Sequence, residues 1–159
     1  MGEAANVTYA LALALQRITG VQTAVDVFPG ADGSVESVLA FKESAHRANQ
    51  RLSTIKASGG TPTGAALATV LPRLLQAKCL KRLLFVITDG MPNAGQFILT
   101  KEKIAEAASQ GVTVVGIGIG AEAKVEALFQ HNIKVEMIAD LPQELEQLFK
   151  SSLLGWIEA

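Results

Sequence analysis

Disulfide scaffolding is excluded by arithmetic, because the 159-residue chain holds a single cysteine, Cys79. One thiol cannot form an intrachain bridge, and its solitude agrees with a reducing compartment; it is expected as a partly buried thiol. Charge is scarce too: only 18% of the residues are charged and the formal net charge is −1. With no basic block, the chain lacks the electrostatic footprint of a nucleic-acid binder or of a membrane-surface binder. Long apolar runs are missing as well, which excludes a bilayer-spanning helix. The start, MGEAANVTYALALALQRI, places Glu3, Asn6 and Thr8 early and Gln16 and Arg17 late, unlike a secretory signal. The expectation is therefore a cytoplasmic protein, in which the sequon Asn6-Val7-Thr8 is a chance occurrence.

What is present is a large apolar fraction. Hydrophobic residues make up 49% of the chain and mean hydropathy is +0.31, enough for one domain, residues 1–159, with a core on both faces of a sheet. Val7, Leu11, Ala14, Leu15 and Ile18 recur at helical spacing before Gly20, predicting a helix over 3–19. VQTAVDVF, ended by Pro29-Gly30, and GSVESVLAF predict two strands paired as an antiparallel hairpin. A polar helix follows over 44–55, and then TGAALATVLPRLLQA predicts a helix that Pro72 should kink or shorten.

RLLFVIT is continuously apolar and ends in Asp89-Gly90, the pattern of a strand buried on both faces with its carboxyl end at solvent. TKEKIAEAASQG predicts a helix capped by Thr100 and stopped at Gly111, feeding a second buried strand, VTVVGIGIG. A short helix over 124–129, a strand IKVEMI and a last helix from about Pro142, with Leu141, Leu145, Leu148 and Phe149 on one face, complete the chain. The alternation predicts an α/β fold: a mostly parallel sheet, helices on both faces and one antiparallel edge hairpin.

The stretch SGGTPTGAAL, residues 58–67, is a glycine-rich loop entering a helix, with hydroxyls at Thr61 and Thr63. Backbone donors and a helix N-terminus suit a charged ligand. A Walker loop, however, needs a lysine and a hydroxyl residue after its last glycine, and Ala65 and Ala66 stand there. GIGIG at 116–120 lies at the end of a late strand and lacks GxGxxG spacing; its glycines are expected where backbone passes close to neighbours. Oxygen-based metal binding is the better alternative, since Thr61 offers a hydroxyl and Asp89 a carboxylate at the end of a buried strand. Alone, the two would hold a divalent ion feebly.

Other chemistry finds little support. His46 and His131, the latter read in the turn FQHNI, have no second ligand at zinc spacing. Cys79 has no readable base, and Ser53 and Ser58 lack a nucleophile elbow. Leu153, Leu154, Trp156 and Ile157 form either a docking stripe or a helix end closing its own core.

SGGTPTGAAL, RLLFVITDGMPN and GVTVVGIGIG, in this order and spacing, resemble the von Willebrand factor type A domain. The resemblance implies a Rossmann-like fold and a metal-ion-dependent adhesion site, the MIDAS, built from an Asp-x-Ser-x-Ser loop, a threonine and an aspartate. It implies that Thr61 is the direct threonine ligand and that Asp89 acts largely through a bound water, with Thr63 and Gly60 shaping the loop. No Asp-x-Ser-x-Ser occurs in these residues, and the family's first, central strand has no counterpart; on this resemblance the chain is N-terminally truncated and its Mg2+ site weak or absent. Glu3 is then a candidate substitute carboxylate.

ITDGMPN, GIGIG and LFQHNIKVEMIADLPQELEQLF look most like bacterial intracellular members related to the cobaltochelatase large subunit and to companions of ring-forming ATPases. That resemblance implies a noncatalytic protein-interaction module with a protein partner such as an ATPase or chelatase subunit. Two alternatives stand beside it: a small nucleotide-binding or enzymatic α/β domain, and a truncated fragment that self-associates as a homo-oligomer through an exposed sheet edge.

Overall fold

The computed structural model describes residues 2–30, 32–56 and 59–151. The chain order is α1 (Glu3–Gln16), the strands β1 (Val25–Val27) and β2 (Glu36–Leu39), α2 (His46–Thr54), α3 (Thr63–Gln76), β3 (Arg82–Thr88), α4 (Phe97–Ser109), β4 (Val112–Ile119), β5 (His131–Val135) and α5 (Leu141–Ser151). Short 3-10 turns at Ala94–Gln96, Val125–Ala127 and Ile138–Asp140 lie between them. β3, β4 and β5 form a parallel sheet in that order, with Phe85 opposite Val115 and Val115 in turn opposite His131. β1 and β2 pair antiparallel, Asp26 facing Ser37, as a separate two-stranded sheet. The expected α/β architecture with a mostly parallel sheet and an antiparallel hairpin is present.

The helices distribute as the apolar patterns require. Val7 and Leu11 of α1 and Leu141 and Leu148 of α5 cover one face of the parallel sheet, packing on Val115, Ile117 and Ile133. Leu67 and Leu71 of α3 and Ala107 of α4 cover the other, against Val86, Val112 and Val114. A third cluster joins Ala12 of α1 to the hairpin and to Ala48 and Leu52 of α2. The GIGIG glycines serve packing: a Cβ on Gly116 would run into the Phe129 ring, and one on Gly118 would lie 2.9 Å from Ala123 Cβ.

Several local expectations need correction. α3 continues through Pro72 to Gln76 instead of shortening there. Thr100 does not cap α4, which starts three residues earlier at Phe97; its fully buried hydroxyl donates to the Gln96 carbonyl at 2.7 Å, one turn back. β5 begins at His131 and ends at Val135, so His131 is a strand residue, while Met137 and Ile138 lie beyond the strand and exposed. The short helix expected over 124–129 is a single 3-10 turn. Cys79 is exposed in the connection from α3 to β3, because that connection crosses the surface. Gly111, with φ of 78°, ends α4 in the left-handed conformation that glycine adopts without a Cβ penalty.

Candidate functional site

β3 carries its apolar run to Thr88 and then leaves the sheet, placing Asp89 in solvent at the carboxyl end of the strand. The turn is tightened by one hydroxyl: Thr88 Oγ1 accepts the Gly90 N–H at 3.3 Å and donates to the Gly90 carbonyl at 3.2 Å. Sequence reasoning therefore located the Asp89 loop correctly, at the end where open parallel sheets place their sites.

The glycine-rich loop is held against this turn by residues the sequence reading did not single out. Asn93 Oδ1 accepts the Thr61 N–H at 2.9 Å, and the Asn93 N–H donates to the Thr61 carbonyl at 3.1 Å. The Thr63 N–H reaches the same carbonyl at 2.9 Å. Gln96 Oε1 accepts the Ala65 N–H at 2.9 Å, satisfying one of the donors that the first turn of α3 leaves open. Asn93 and Gln96 thus bind the loop before α3 to the segment after β3, bringing the loops of Thr61 and Asp89 together. The signal that could have found Asn93 was local: Pro92-Asn93, after Asp89-Gly90, is turn chemistry with a side-chain acceptor to spare.

Two glycines make this approach possible. Gly60 sits at φ of 89°, and a Cβ there would lie 2.9 Å from Asn93 Nδ2. A Cβ on Gly64 would lie 2.8 Å from Leu99 Cγ and 2.9 Å from the Thr100 nitrogen of α4.

Thr61 is half-buried and Thr63 is 2% exposed. Thr63 Oγ1 has no hydrogen-bond partner among the described residues. It lines a cleft with Thr88, Gly90, Met91, Pro92 and Lys124 whose cavity volume is about 10 Å³. Small-molecule sites run to roughly 300–1,000 Å³, so the cleft is undersized for a nucleotide. Glu3 opens α1 and takes no part in the hydrogen bonds that join the two loops.

The residues present do not fit a tightly held divalent ion. Asp89 is one carboxylate and Thr61 one hydroxyl, whereas octahedral magnesium needs six oxygens. Among the described residues no group of three or more His, Cys, Asp or Glu side chains comes together to hold a metal. The other candidates have ordinary surroundings: His46 Nδ1 lies 3.3 Å from the Tyr9 hydroxyl, and the Ser53 hydroxyl donates to the Gln50 carbonyl. Ser58, Leu153, Leu154, Trp156 and Ile157 lie outside the described residues, as does the side chain of Phe149. No helix among the described residues is long and apolar enough to cross a membrane.

Comparison with known proteins agrees with the fold. Protein NorD of Brucella suis is 31% identical over 128 residues, which cover 73% of this chain and 20% of NorD; the chain thus spans about a fifth of that relative's length. Among solved structures, proximal thread matrix protein 1 of the mussel byssus superposes with a TM-score of 0.70 at 16% identity, over 92% of this chain and 40% of its own. The same mussel protein with a zinc-occupied MIDAS motif gives 0.68 at 17% identity, over 92% of this chain and 39% of its own. A von Willebrand factor type A protein of Catenulispora acidiphila gives 0.68 at 19% identity, over 91% and 37%. The sequence profile of the von Willebrand factor type A domain itself matches residues 15–148, and the chain belongs to that family.

Proposed function

We propose that this chain is a noncatalytic protein-interaction module whose contact surface is the carboxyl end of the parallel sheet, with Thr61 and Asp89 forming part of a MIDAS-type site. The observation that carries the reading is the double hydrogen bond between Asn93 and Thr61. It fixes a hydroxyl loop beside an exposed carboxylate. In the complete form of such a site, a magnesium ion leaves one coordination position for a carboxylate from the partner. Here the protein oxygens are too few, so the affinity for magnesium alone is weak, with Glu3 the candidate for an additional carboxylate. The reading places the protein in the cytoplasm, with a protein partner of the ATPase or chelatase-subunit kind; resemblance to bacterial intracellular members supports that choice.

The test is paramagnetic. Added Mn2+ should broaden the amide resonances of Gly60, Thr61, Asp89 and Gly90 before any others, and Glu3→Ala should raise the concentration required. Broadening centred elsewhere, or an unchanged requirement in Asp89→Ala, would remove the site.

A further inference from the structure

Thr63 stands where the apolar pattern of α3 calls for a hydrocarbon. Thr63, Leu67 and Leu71 follow one another at four-residue spacing and so share one face of the helix. Leu67 and Leu71 pack with Val86, Val125 and Phe129, and Thr63, 2% exposed, continues the stripe beside Val125 and Phe129. A valine has the same shape and no hydroxyl to bury, and a buried hydroxyl without a partner costs stability. Thr63 Oγ1 therefore needs a partner.

The usual partner of a helical threonine is out of reach. Thr8 donates to the Ala4 carbonyl at 2.7 Å, Thr69 to Ala65 at 3.1 Å, Thr100 to Gln96 at 2.7 Å and Thr54 to Arg51 at 2.8 Å, each to the turn before its own. Thr63 is the first residue of α3 and has no helical turn before it. The Thr61 carbonyl, two residues back, already accepts the Thr63 and Asn93 N–H groups, which engages both of its lone pairs. Thr63 Oγ1 accordingly has no partner among the described residues.

The cleft beside it supplies what the helix does not. Thr88 and Gly90 line it together with Thr63. Thr88 Oγ1 donates to the Gly90 carbonyl and accepts the Gly90 N–H, leaving one lone pair on the hydroxyl and one on the carbonyl. The cleft volume, about 10 Å³, is close to that of one water by this measure, well short of a carboxylate or a phosphate. Its walls come from α3, the turn after β3 and the connection from β4 to β5, all of them described residues.

We propose that the cleft is a hydration site for a single internal water, which accepts the Thr63 hydroxyl proton and donates to the Thr88 hydroxyl and the Gly90 carbonyl. About three hydrogen bonds is the usual complement of a buried water. The water ties the first residue of α3 to the turn that carries Asp89, a link between the two loops in addition to Asn93 and Gln96. It depends on no metal chemistry at Thr61 and Asp89, and stands or falls apart from it.

The test is a water-selective NOE experiment on the 15N-labelled chain. Cross-relaxation from the water resonance to the Gly90 amide should appear in the parent with the sign of a long-held water, opposite to that of surface hydration. It should persist in Thr63→Ser and vanish in Thr63→Val. The unfolding constant of Thr63→Val from urea melts should rise about fivefold, the worth of one ordinary hydrogen bond. No such signal in the parent overturns the proposal. So does a signal unchanged in Thr63→Val, which would be relayed by the Thr88 hydroxyl, and so does a Thr63→Val chain that unfolds no more readily than the parent.

Discussion

Replacing Gly64 with alanine tests whether the candidate site is seated by close helix contact. Gly64 is buried near the start of α3, and an added Cβ would lie 2.8 Å from Leu99 Cγ, 2.9 Å from Leu99 Cβ and 2.9 Å from the Thr100 nitrogen. The leucine side chain can rotate, but the Thr100 nitrogen is backbone, so α4 has to retreat. Overpacking of this kind costs about 1–3 kcal/mol. Alanine recovers at most about 1 kcal/mol of helix propensity, and less in a first turn. The net expectation is a loss of about 1–2 kcal/mol, a fall in Tm of roughly 2–8 °C at this chain length. Urea unfolding should show a lowered midpoint with an unchanged slope. Gly95→Ala, where nothing lies within 4 Å of the added atom, should stay within about 0.5 kcal/mol of the parent. Wild-type stability in Gly64→Ala would mean that α3 and α4 are not packed at this separation, and the argument for the position of the Thr61 loop would fail with it.

Two further outcomes follow from named contacts. Asn93→Ala removes the acceptor for the Thr61 N–H; because Thr61 is only half-buried, the cost should be about 0.5–1.5 kcal/mol, with faster exchange of the Thr61 amide, and Asn93→Asp should restore protection. Stability should also fall in acid. The Ala40 N–H donated to Glu43, with Arg51 close by, holds that carboxyl below the usual glutamate range, and the Ser34 hydroxyl and amide do the same for Asp32. A depressed folded value contributes stability above the unfolded pKa, near 4 for carboxylates, that is lost as pH falls through the folded value. Urea melts between pH 5 and pH 2, taken as round limits, should therefore decline less steeply for Glu43→Gln than for the parent.

The parts of the fold legible in the sequence were those whose periodicity reports a single environment. β3 and β4 announced themselves as continuous apolar runs, and α1 by its regular Val7 and Leu11 spacing. Boundaries failed where tertiary contacts supply what local signals normally supply. Thr100 resembled a cap, but its hydroxyl is satisfied inside the helix by Gln96, and the 3-10 turn before it starts α4 earlier. The extent of β5 was misjudged because Met137 and Ile138 continue the apolar pattern past the last paired residue. At the candidate site, Thr61 and Asp89 were visible as loop chemistry. The residues that join their loops, Asn93 and Gln96, act across 32 and 31 positions of sequence, a separation that no local pattern encodes.

Calorimetric titration with Mn2+ on this chain, on Asp89→Ala and on Thr61→Ala tests the central claim most directly. Weak binding, with Kd on the order of millimolar for a site keeping most of its waters, and its loss in both variants, is the predicted result. Micromolar binding by the parent chain, or binding that survives both substitutions, would contradict the account of Thr61 and Asp89 as an incomplete cation site on the contact surface.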